Sequence, residues 1–346
     1  MAGRHHAERG GSRHAVRGLV ILLLFFGLLG GGAVGFYAWA TGASGAPSKP
    51  VAITIPEGST TSEISEILVS KGVVRSALAF RLVARFRGSG SSIQAGEYEL
   101  RTNMRPQQAL DALGEGPIVE TVSFTIPEGL RVDQVGEVVA EVLPIDPKAF
   151  EGEAQGGSYS LPPYLPEGRK TVEGFLFPKT YEVHRESDAT AVIQRLLQQF
   201  EEEVAGLPWQ RAEKLGLTPY EIVIVASLIE REAGVEEDRA KIASVIYNRM
   251  REGMRLQIDA TVQYALPKHK PRLTYEDYKV KSPYNTYLND GLPPTPIASP
   301  GLASLEAALR PAKTNFLFYL VVDDTGRHGF TETYEEFLRL KNEVQG

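Results

Sequence analysis

The sequence contains no cysteine. A disulfide framework, a thiolate nucleophile and a thiolate metal site are therefore excluded. Several catalytic signatures are missing as well: there is no G-x-S-x-G elbow, no phosphate-binding P-loop and no G-x-G-x-x-G turn after a strand. No pair of histidines has the spacing of metal ligands. We therefore expect neither a metal nor another cofactor.

The chain carries a net charge of −6. Residues 1–17 hold four arginines and one glutamate, so the rest of the chain is more acidic than the whole. An acidic body argues against nucleic acid as the main partner. The groups left for chemistry are carboxylates, amides, tyrosines and arginines. That inventory suits binding of a sugar and cleavage of a glycosidic bond by a carboxylic acid with a raised pKa.

An uncharged apolar run occupies residues 18–40. At about 20 residues it is long enough to span a bilayer. Because the arginines of residues 1–17 precede it, we predict a cytoplasmic tail, a transmembrane helix and an extracytoplasmic remainder of a single-pass protein in the cell (inner) membrane. The alternative is a cleaved signal peptide. Residues 41–50 read as a flexible linker.

A short motif occurs twice: Ile-Pro-Glu-Gly at 55–58 returns at 126–129. After the first copy, Thr60 and Glu63 form a capping box for a helix. A second helix over 76–87 and a strand over 95–100 complete a predicted β-α-α-β unit within residues 51–120. Units of this kind resemble LysM modules, which bind glycans containing N-acetylglucosamine. The alternative is a packing module that holds the rest of the protein away from the membrane.

A buried helix over 218–234 is the centre of the remaining chain. Thr218 and Glu221 predict its capping box, with a proline at the first helical position. The residues that follow are apolar nearly all round, which is typical of a buried helix. Gly234 suits a left-handed cap at its C-terminus.

Glu230 lies at the end of that apolar run. A carboxyl on an apolar face resists ionisation, so its pKa should rise and let it donate a proton near neutral pH. The alternative is a structural ion pair with Arg231 or Arg249. Glu232 is the rival acid, but its position two residues on predicts a different and exposed face.

The fold class that we predict is mixed α+β, with a catalytic domain over 121–346. Its parts are a second Ile-Pro-Glu-Gly unit over 121–145, an active-site core over 171–301, and a C-terminal hairpin and helix over 304–346. The other predicted elements are a loop over 146–170, an aromatic turn over 173–181, helices over 189–204 and 236–251, and an irregular segment over 282–301.

Six segments occur in an order that resembles the YceG-like family of endolytic murein transglycosylases. They are E-G-F-L-F-P-K-T-Y at 173–181, A-S-L-I-E-R-E at 226–232, A-S-V-I-Y-N-R at 243–249, M-R-L-Q-I-D-A-T-V-Q-Y at 254–264, Y-N-T-Y at 284–287, and the proline-rich stretch at 291–301. One departure is visible, because the family carries a Glu-His pair in the last helix and here Phe337 follows Glu336.

The resemblance implies one catalytic glutamate, mapped onto Glu230. The family cleaves the β-1,4 bond between N-acetylmuramic acid and N-acetylglucosamine within glycan strands. Glu230 would protonate the leaving oxygen and then, as a carboxylate, take the proton of the C6 hydroxyl, which closes a 1,6-anhydro ring. No water is consumed, so no second carboxylate is needed. The implied partners are peptidoglycan strands and the synthases that make them.

Other site residues follow from the same motifs, with loop-fixing hydrogen bonds or core packing as the alternative for each. The substrate-binding candidates are Gln257, Asp259, Thr261, Tyr264, Tyr284, Asn285, Tyr287, Asn248 and Glu173. Among them, Tyr264 and Tyr284 could stack on sugars. Asp259 would be the second carboxylate if the reaction were instead the hydrolysis of a muramidase. A further alternative is a non-catalytic glycan-binding scaffold of wall synthesis.

Overall fold

The structure is a computed structural model that describes residues 31–32, 35, 49–88, 93–118, 120–157, 159, 166 and 171–345. These residues form two compact units, one ending at Val119 and the other beginning at Glu120. The predicted tail, transmembrane helix and linker lie almost wholly outside the described residues. Within the described ranges, no helix combines the length and apolarity needed to cross a bilayer.

The first unit has the predicted β-α-α-β order, followed by one more helix. Its elements are β1 (Pro50–Ile55), α1 (Thr61–Ser70), α2 (Ala77–Arg87), β2 (Gly96–Arg101) and α3 (Pro106–Gly114). The strands pair antiparallel, with Ile53 opposite Tyr98. Both side chains are buried under the helices with Leu68 and Phe80. The capping box of Thr60 and Glu63 is present.

The second unit is mostly helical and carries two small antiparallel sheets. In chain order its elements are β3 (Thr121–Thr125), α4 (Val132–Ala140), α5 (Pro147–Gly156), β4 (Thr180–His184), α6 (Ala189–Val204), α7 (Arg211–Lys214), α8 (Pro219–Glu232), α9 (Arg239–Arg251), α10 (Asp259–Ala265), α11 (Leu302–Leu309), β5 (Phe318–Val321), β6 (His328–Thr331) and α12 (Tyr334–Gln345). Helix α8 packs against α9 and α11 in the core, and those two helices also contact each other.

Two elements of this unit differ from the prediction. The segment predicted as a loop over 146–170 begins with α5, because Asp146 accepts hydrogen bonds from the N–H groups of Lys148 and Ala149, both at 3.0 Å. The aromatic turn after residue 173 leads into β4, which pairs with β3 from the second Ile-Pro-Glu-Gly copy. The sequence does not reveal β4 because its partner strand is distant in the chain.

The predicted helix over 218–234 is α8, and its capping box is confirmed: the backbone N–H of Thr218 lies 2.7 Å from the Glu221 carboxylate. Every residue from Ile222 to Ile229 is buried. The prediction for Gly234 is wrong, since α8 ends at Glu232 and Ala233 is extended. Glycine is needed because a Cβ at position 234 would lie 2.4 Å from the carbonyl oxygen of Gly326.

Gly234→Ala should therefore destabilise the protein. The added methyl group must push the β5–β6 turn away from the end of α8, and overpacking of this kind lowers the free energy of unfolding by about 1–3 kcal/mol. Gly206→Ala is the control, because a Cβ there meets nothing within 4 Å. Chemical denaturation of both variants measures the difference, and equal stabilities would contradict the close packing.

Candidate active site

Within α8, the apolar run is followed by three charged residues in the last turn: Glu230, Arg231 and Glu232. A helix turns about 100° per residue, so the two carboxyls point about 200° apart. Each therefore meets a different part of the protein, and each meets the beginning of another helix.

Glu230 is tied into a salt bridge. Its side chain is 6% exposed, and the carboxylate lies 3.2 Å from the Arg239 guanidinium. The same oxygen accepts the N–H of Gly301 at 3.0 Å, directly before α11. Both donors therefore bind the same carboxylate oxygen of Glu230. The sequence predicts Arg231 or Arg249 as the alternative partner, but Arg231 donates to the carbonyl of Gly129 instead.

Arg249, the other named partner, binds two carbonyl oxygens. Its Nε donates to Leu317 and its Nη1 to Leu256, both at 2.6 Å. Arg239 takes the place beside Glu230 because it begins α9, directly after the turn that follows α8.

Glu232 occupies a different environment. The Tyr319 hydroxyl donates to it at 2.9 Å, and the N–H of Ala260, in the first turn of α10, also faces it. Burial raises the pKa of Glu232 to about 7, with a further rise from the charge of Asp259, against the opposing effects of those two donors and Arg231. The expectation of an exposed Glu232 is wrong, because the β5–β6 hairpin and α10 partly bury it.

Asp259 lies at the start of α10, exposed to solvent. Its two oxygens accept the hydroxyls of Tyr287 at 2.6 Å and Tyr278 at 3.1 Å, and the two rings pack at 4.7 Å between centroids. Of this trio, the sequence analysis missed Tyr278. It lies in a short 3-10 turn with no local pattern to connect it to Asp259.

Gln257 lies two residues before Asp259 and has an unusual backbone conformation, with φ at 47°. A non-glycine residue in this left-handed region is uncommon and marks a constrained segment. Its N–H donates to the carbonyl of Thr286 at 3.2 Å, and its side chain is exposed. The structure thus presents Gln257 to solvent two residues from Asp259.

Three of the candidate binding residues instead hold loops together inside the protein. The amide of Asn248 donates to the carbonyls of Thr314 and Phe316, both at 2.9 Å. The amide of Asn285 donates to two carbonyls at 2.9 Å as well, those of Tyr278 and Val280. Thr261 is fully buried and hydrogen-bonds the hydroxyl of Thr286 at 2.9 Å. Their contacts match the loop-fixing alternative.

The remaining candidates form a second polar cluster. Glu173 is buried and accepts the N–H of Val132, at the start of α4, at 3.2 Å and the hydroxyl of Tyr264 at 3.1 Å. Burial raises the pKa of Glu173 to about 7. The Tyr264 ring lies 4.7 Å from the ring of Tyr284 and 5.5 Å from the Arg131 guanidinium.

This cluster lines a cavity of about 300 Å³, whose wall includes Arg131, Thr171, Glu173 and Tyr264. A smaller cavity of about 50 Å³ shares Arg131 and Tyr264 and extends to Ala260, which faces Glu232. Polar and aromatic side chains thus continue from the Glu173 cluster toward the end of α8. No group of three or more potential metal-binding side chains occurs in the described part of the chain.

Glu128 is a further acidic group that the sequence analysis did not single out, although it belongs to the repeated motif. Its carboxylate is 3.8 Å from Arg239, and burial together with the charge of Glu230 raises its pKa. A Cβ on Gly301 would lie 1.9 Å from the Glu128 carboxylate. Half of the Glu128 side chain is exposed, and the corresponding Glu57 of the first copy is exposed too.

The fold and the site together define an α+β protein that carries two glutamates at the end of one buried helix. Tyrosines and an aspartate lie nearby. The chain belongs to the YceG-like family, whose model matches residues 53–343.

Known proteins that are similar to it include two named transglycosylases and one solved structure. The endolytic murein transglycosylase of Bacillus subtilis is 34% identical over 304 residues, which is 84% of either chain. That of Streptococcus pneumoniae R6 is 29% identical, over 83% of this chain and 57% of its own length. The crystal structure of a yceG-like protein from Listeria monocytogenes has a TM-score of 0.57 and 33% identity, covering 84% of this chain and 98% of that one.

The raised pKa of Glu173 predicts a pH-dependent stability. Between the ordinary pKa of 4.5 and about 7, the folded chain keeps a proton that the unfolded chain has released. Its stability therefore falls as pH rises through that window. Glu173→Gln removes this loss, so the stability of the variant relative to the parent should rise by up to about 3 kcal/mol between pH 4 and pH 8. Denaturation at several pH values tests this, and a difference independent of pH would contradict it.

Proposed function

We propose that this protein is a peptidoglycan lytic transglycosylase. It cleaves the bond between N-acetylmuramic acid and N-acetylglucosamine within glycan strands, leaving 1,6-anhydro ends, and Glu232 acts first as general acid and then as base. The names of its relatives support the activity. The observation that carries the choice of acid is the partly buried Glu232, whose pKa is raised to about 7 beside Tyr319 and the first turn of α10.

Glu232 replaces Glu230, the residue that the sequence favoured, as the proposed acid. The Glu230 carboxylate already binds a guanidinium and a backbone N–H, and only 6% of its side chain is exposed. A general acid must instead be protonated at the working pH and must reach the leaving group. A pKa raised to about 7 lets Glu232 hold a proton close to neutral pH.

In the proposed reaction, protonated Glu232 donates its proton to the glycosidic oxygen as the C1–O bond breaks. Positive charge develops at C1 of the muramic sugar. The Glu232 carboxylate then takes the proton of the C6 hydroxyl of that sugar, and the oxygen closes on C1. The hydroxyl is already tethered to the reacting sugar, which gives it the advantage of an intramolecular nucleophile.

The second candidate function is a muramidase, in which Asp259 activates water while Glu232 donates the proton. The observation that supports a muramidase is the proximity of the two carboxyls, since the charge of Asp259 raises the pKa of Glu232. Against it, both Asp259 oxygens already accept tyrosine hydroxyls. A general base needs an oxygen that is free to take a proton from water, and both oxygens of Asp259 are engaged.

We propose that the sugar chain extends from Glu232 toward the cavity at Glu173. Arg131 and Tyr264 line both adjoining cavities, and such polar and aromatic groups suit hydroxyl, acetamido and C–H surfaces of sugars. The exposed Gln257, and Tyr287 beside Asp259, would also contact the substrate.

The test is product analysis by mass spectrometry after the full chain, in detergent, digests purified glycan strands. The parent should give ends lighter by one water than reducing ends. Glu232→Gln keeps the shape but cannot donate a proton, so it should lose at least about a hundredfold in rate. Glu230→Gln should retain cleavage. The rate of the parent should fall as pH rises above about 7.

Four results would count against the proposal. Full activity of Glu232→Gln would remove Glu232 as the acid, and loss of activity only in Glu230→Gln would restore Glu230. Reducing ends would show that water is the nucleophile and would support the muramidase. No cleavage by the parent would support the glycan-binding scaffold.

We further propose that residues 18–40 anchor the enzyme in the membrane, with residues 1–17 in the cytoplasm and the catalytic domain outside. There the enzyme would limit the length of strands leaving peptidoglycan synthases. The uncharged run and the preceding arginines support the anchor. A reporter enzyme that works only outside the cytoplasm, fused to the C-terminus, should be active. A reporter that works only inside should be silent, and the reverse pattern would contradict the orientation.

A further inference from the structure

The β5–β6 hairpin is fixed against the end of α8 by contacts on both sides of its turn. Gly326 in the turn approaches Gly234 so closely that a Cβ at position 234 would overlap the Gly326 backbone, and a Cβ at position 326 would lie 3.2 Å from the Gly234 Cα. At the start of β6, the N–H of His328 donates to the buried Asp238 carboxylate at 2.7 Å, and the imidazole Nδ1 lies 3.3 Å from the same oxygen. The hairpin is therefore held to the segment that leads out of α8.

Tyr319 lies in β5 and reaches from this hairpin to Glu232. Its ring packs edge-on against His328 at 5.3 Å and lies 5.9 Å from Phe330. These neighbours fix the plane of the ring, and the hydroxyl ends 2.9 Å from the Glu232 carboxyl. The position of the donor is thus set by the hairpin rather than by a flexible side chain.

Arg249 supports the same region from α9. Its guanidinium lies 5.3 Å from the Phe318 ring and donates to the carbonyl oxygens of Leu256 and Leu317. Among the ion pairs of the described residues, none includes Arg249. Its positive charge instead acts on Tyr319 and Glu232, so it favours the ionised form of Glu232.

We propose that Tyr319 is a positioning residue for the reaction: the hairpin aims its hydroxyl at Glu232, where it orients the carboxyl and stabilises the carboxylate that forms after proton donation. This inference rests on the proposed role of Glu232. It also makes the C-terminal hairpin part of the catalytic apparatus, although it lies far from α8 in the sequence.

Several charged groups set the ionisation of Glu232 together with Tyr319. Asp259, on α10, opposes the carboxylate, while Arg231 on α8 and Arg249 on α9 favour it. Tyr287 faces it from the loop before α11. Because these groups stay in place when only the hydroxyl of Tyr319 is removed, the effect of that one donor can be measured.

The experiment compares Tyr319→Phe with the parent in the full chain, measuring kcat and KM on purified glycan strands across pH. The phenylalanine ring preserves the packing, but the carboxylate loses a donor. A hydrogen bond to a charged group is strong enough to move a pKa by about one unit. The alkaline limb of the kcat profile should therefore shift upward by about one pH unit, and kcat at the optimum should fall about tenfold with little change in KM.

Tyr247→Phe is the matched control. Tyr247, on α9, is also a largely buried tyrosine whose hydroxyl donates to a backbone carbonyl, that of Ala308 at 2.7 Å. The variant loses a comparable hydrogen bond with no contact to Glu232, so its pH limb should remain that of the parent. Replacement of Tyr319 by a fluorinated tyrosine, a stronger donor, should move the limb the opposite way.

An unchanged limb in both Tyr319 variants would overturn the inference while Glu232→Gln stays inactive, and the proposed function would then survive. A limb shifted equally in Tyr247→Phe would reduce the effect to general destabilisation and would also overturn it. Full activity of Glu232→Gln would instead refute the proposed function itself.

Discussion

The structure depends on how the end of one buried helix accommodates two carboxyl groups. Helix α8 is apolar for most of its length, so its last turn brings charge to the margin of the core. Charges in such a place need partners. Two short helices supply them: α11 begins at the Gly301 N–H that binds Glu230, and α10 begins beside Glu232.

The difference between the two glutamates follows from their remaining neighbours. Arg239 neutralises Glu230 at 3.2 Å and also approaches Glu128. Glu232 has no guanidinium at that distance among the described residues, but receives a tyrosine hydroxyl and faces the charge of Asp259. One carboxyl therefore serves as a fixed ionic contact. The other is poised to exchange a proton near neutral pH, which is the property that acid–base catalysis requires.

Sequence patterns predicted what local physics controls. The capping boxes of Thr60 and Thr218, the order of the first unit and the buried character of α8 all follow from residues a few positions apart. The family resemblance likewise rests on short segments, and it is confirmed. The prediction of secondary structure failed where a strand forms only because a distant strand pairs with it, as for β4, which pairs with β3.

The site was only partly predictable for the same reason. Two glutamates two residues apart look alike in sequence, and the groups that separate them come from elsewhere: Arg239 from the next helix, and Tyr319 from 87 residues away. Gly234 looked like a helix cap, but the constraint is the backbone of Gly326. Asn248 and Asn285 looked like sugar-binding amides, yet carbonyl groups inside the protein use their donors.

In the proposed reaction the substrate is cleaved at Glu232 and not at Glu230. The most direct measurement is a crystal structure of Glu232→Gln with a bound glycan fragment that spans the scissile bond. We expect the glycosidic oxygen within about 3 Å of the side chain at position 232, with Glu230 still paired to Arg239. A glycosidic oxygen at Glu230, or a glycan bound away from both residues, would contradict it.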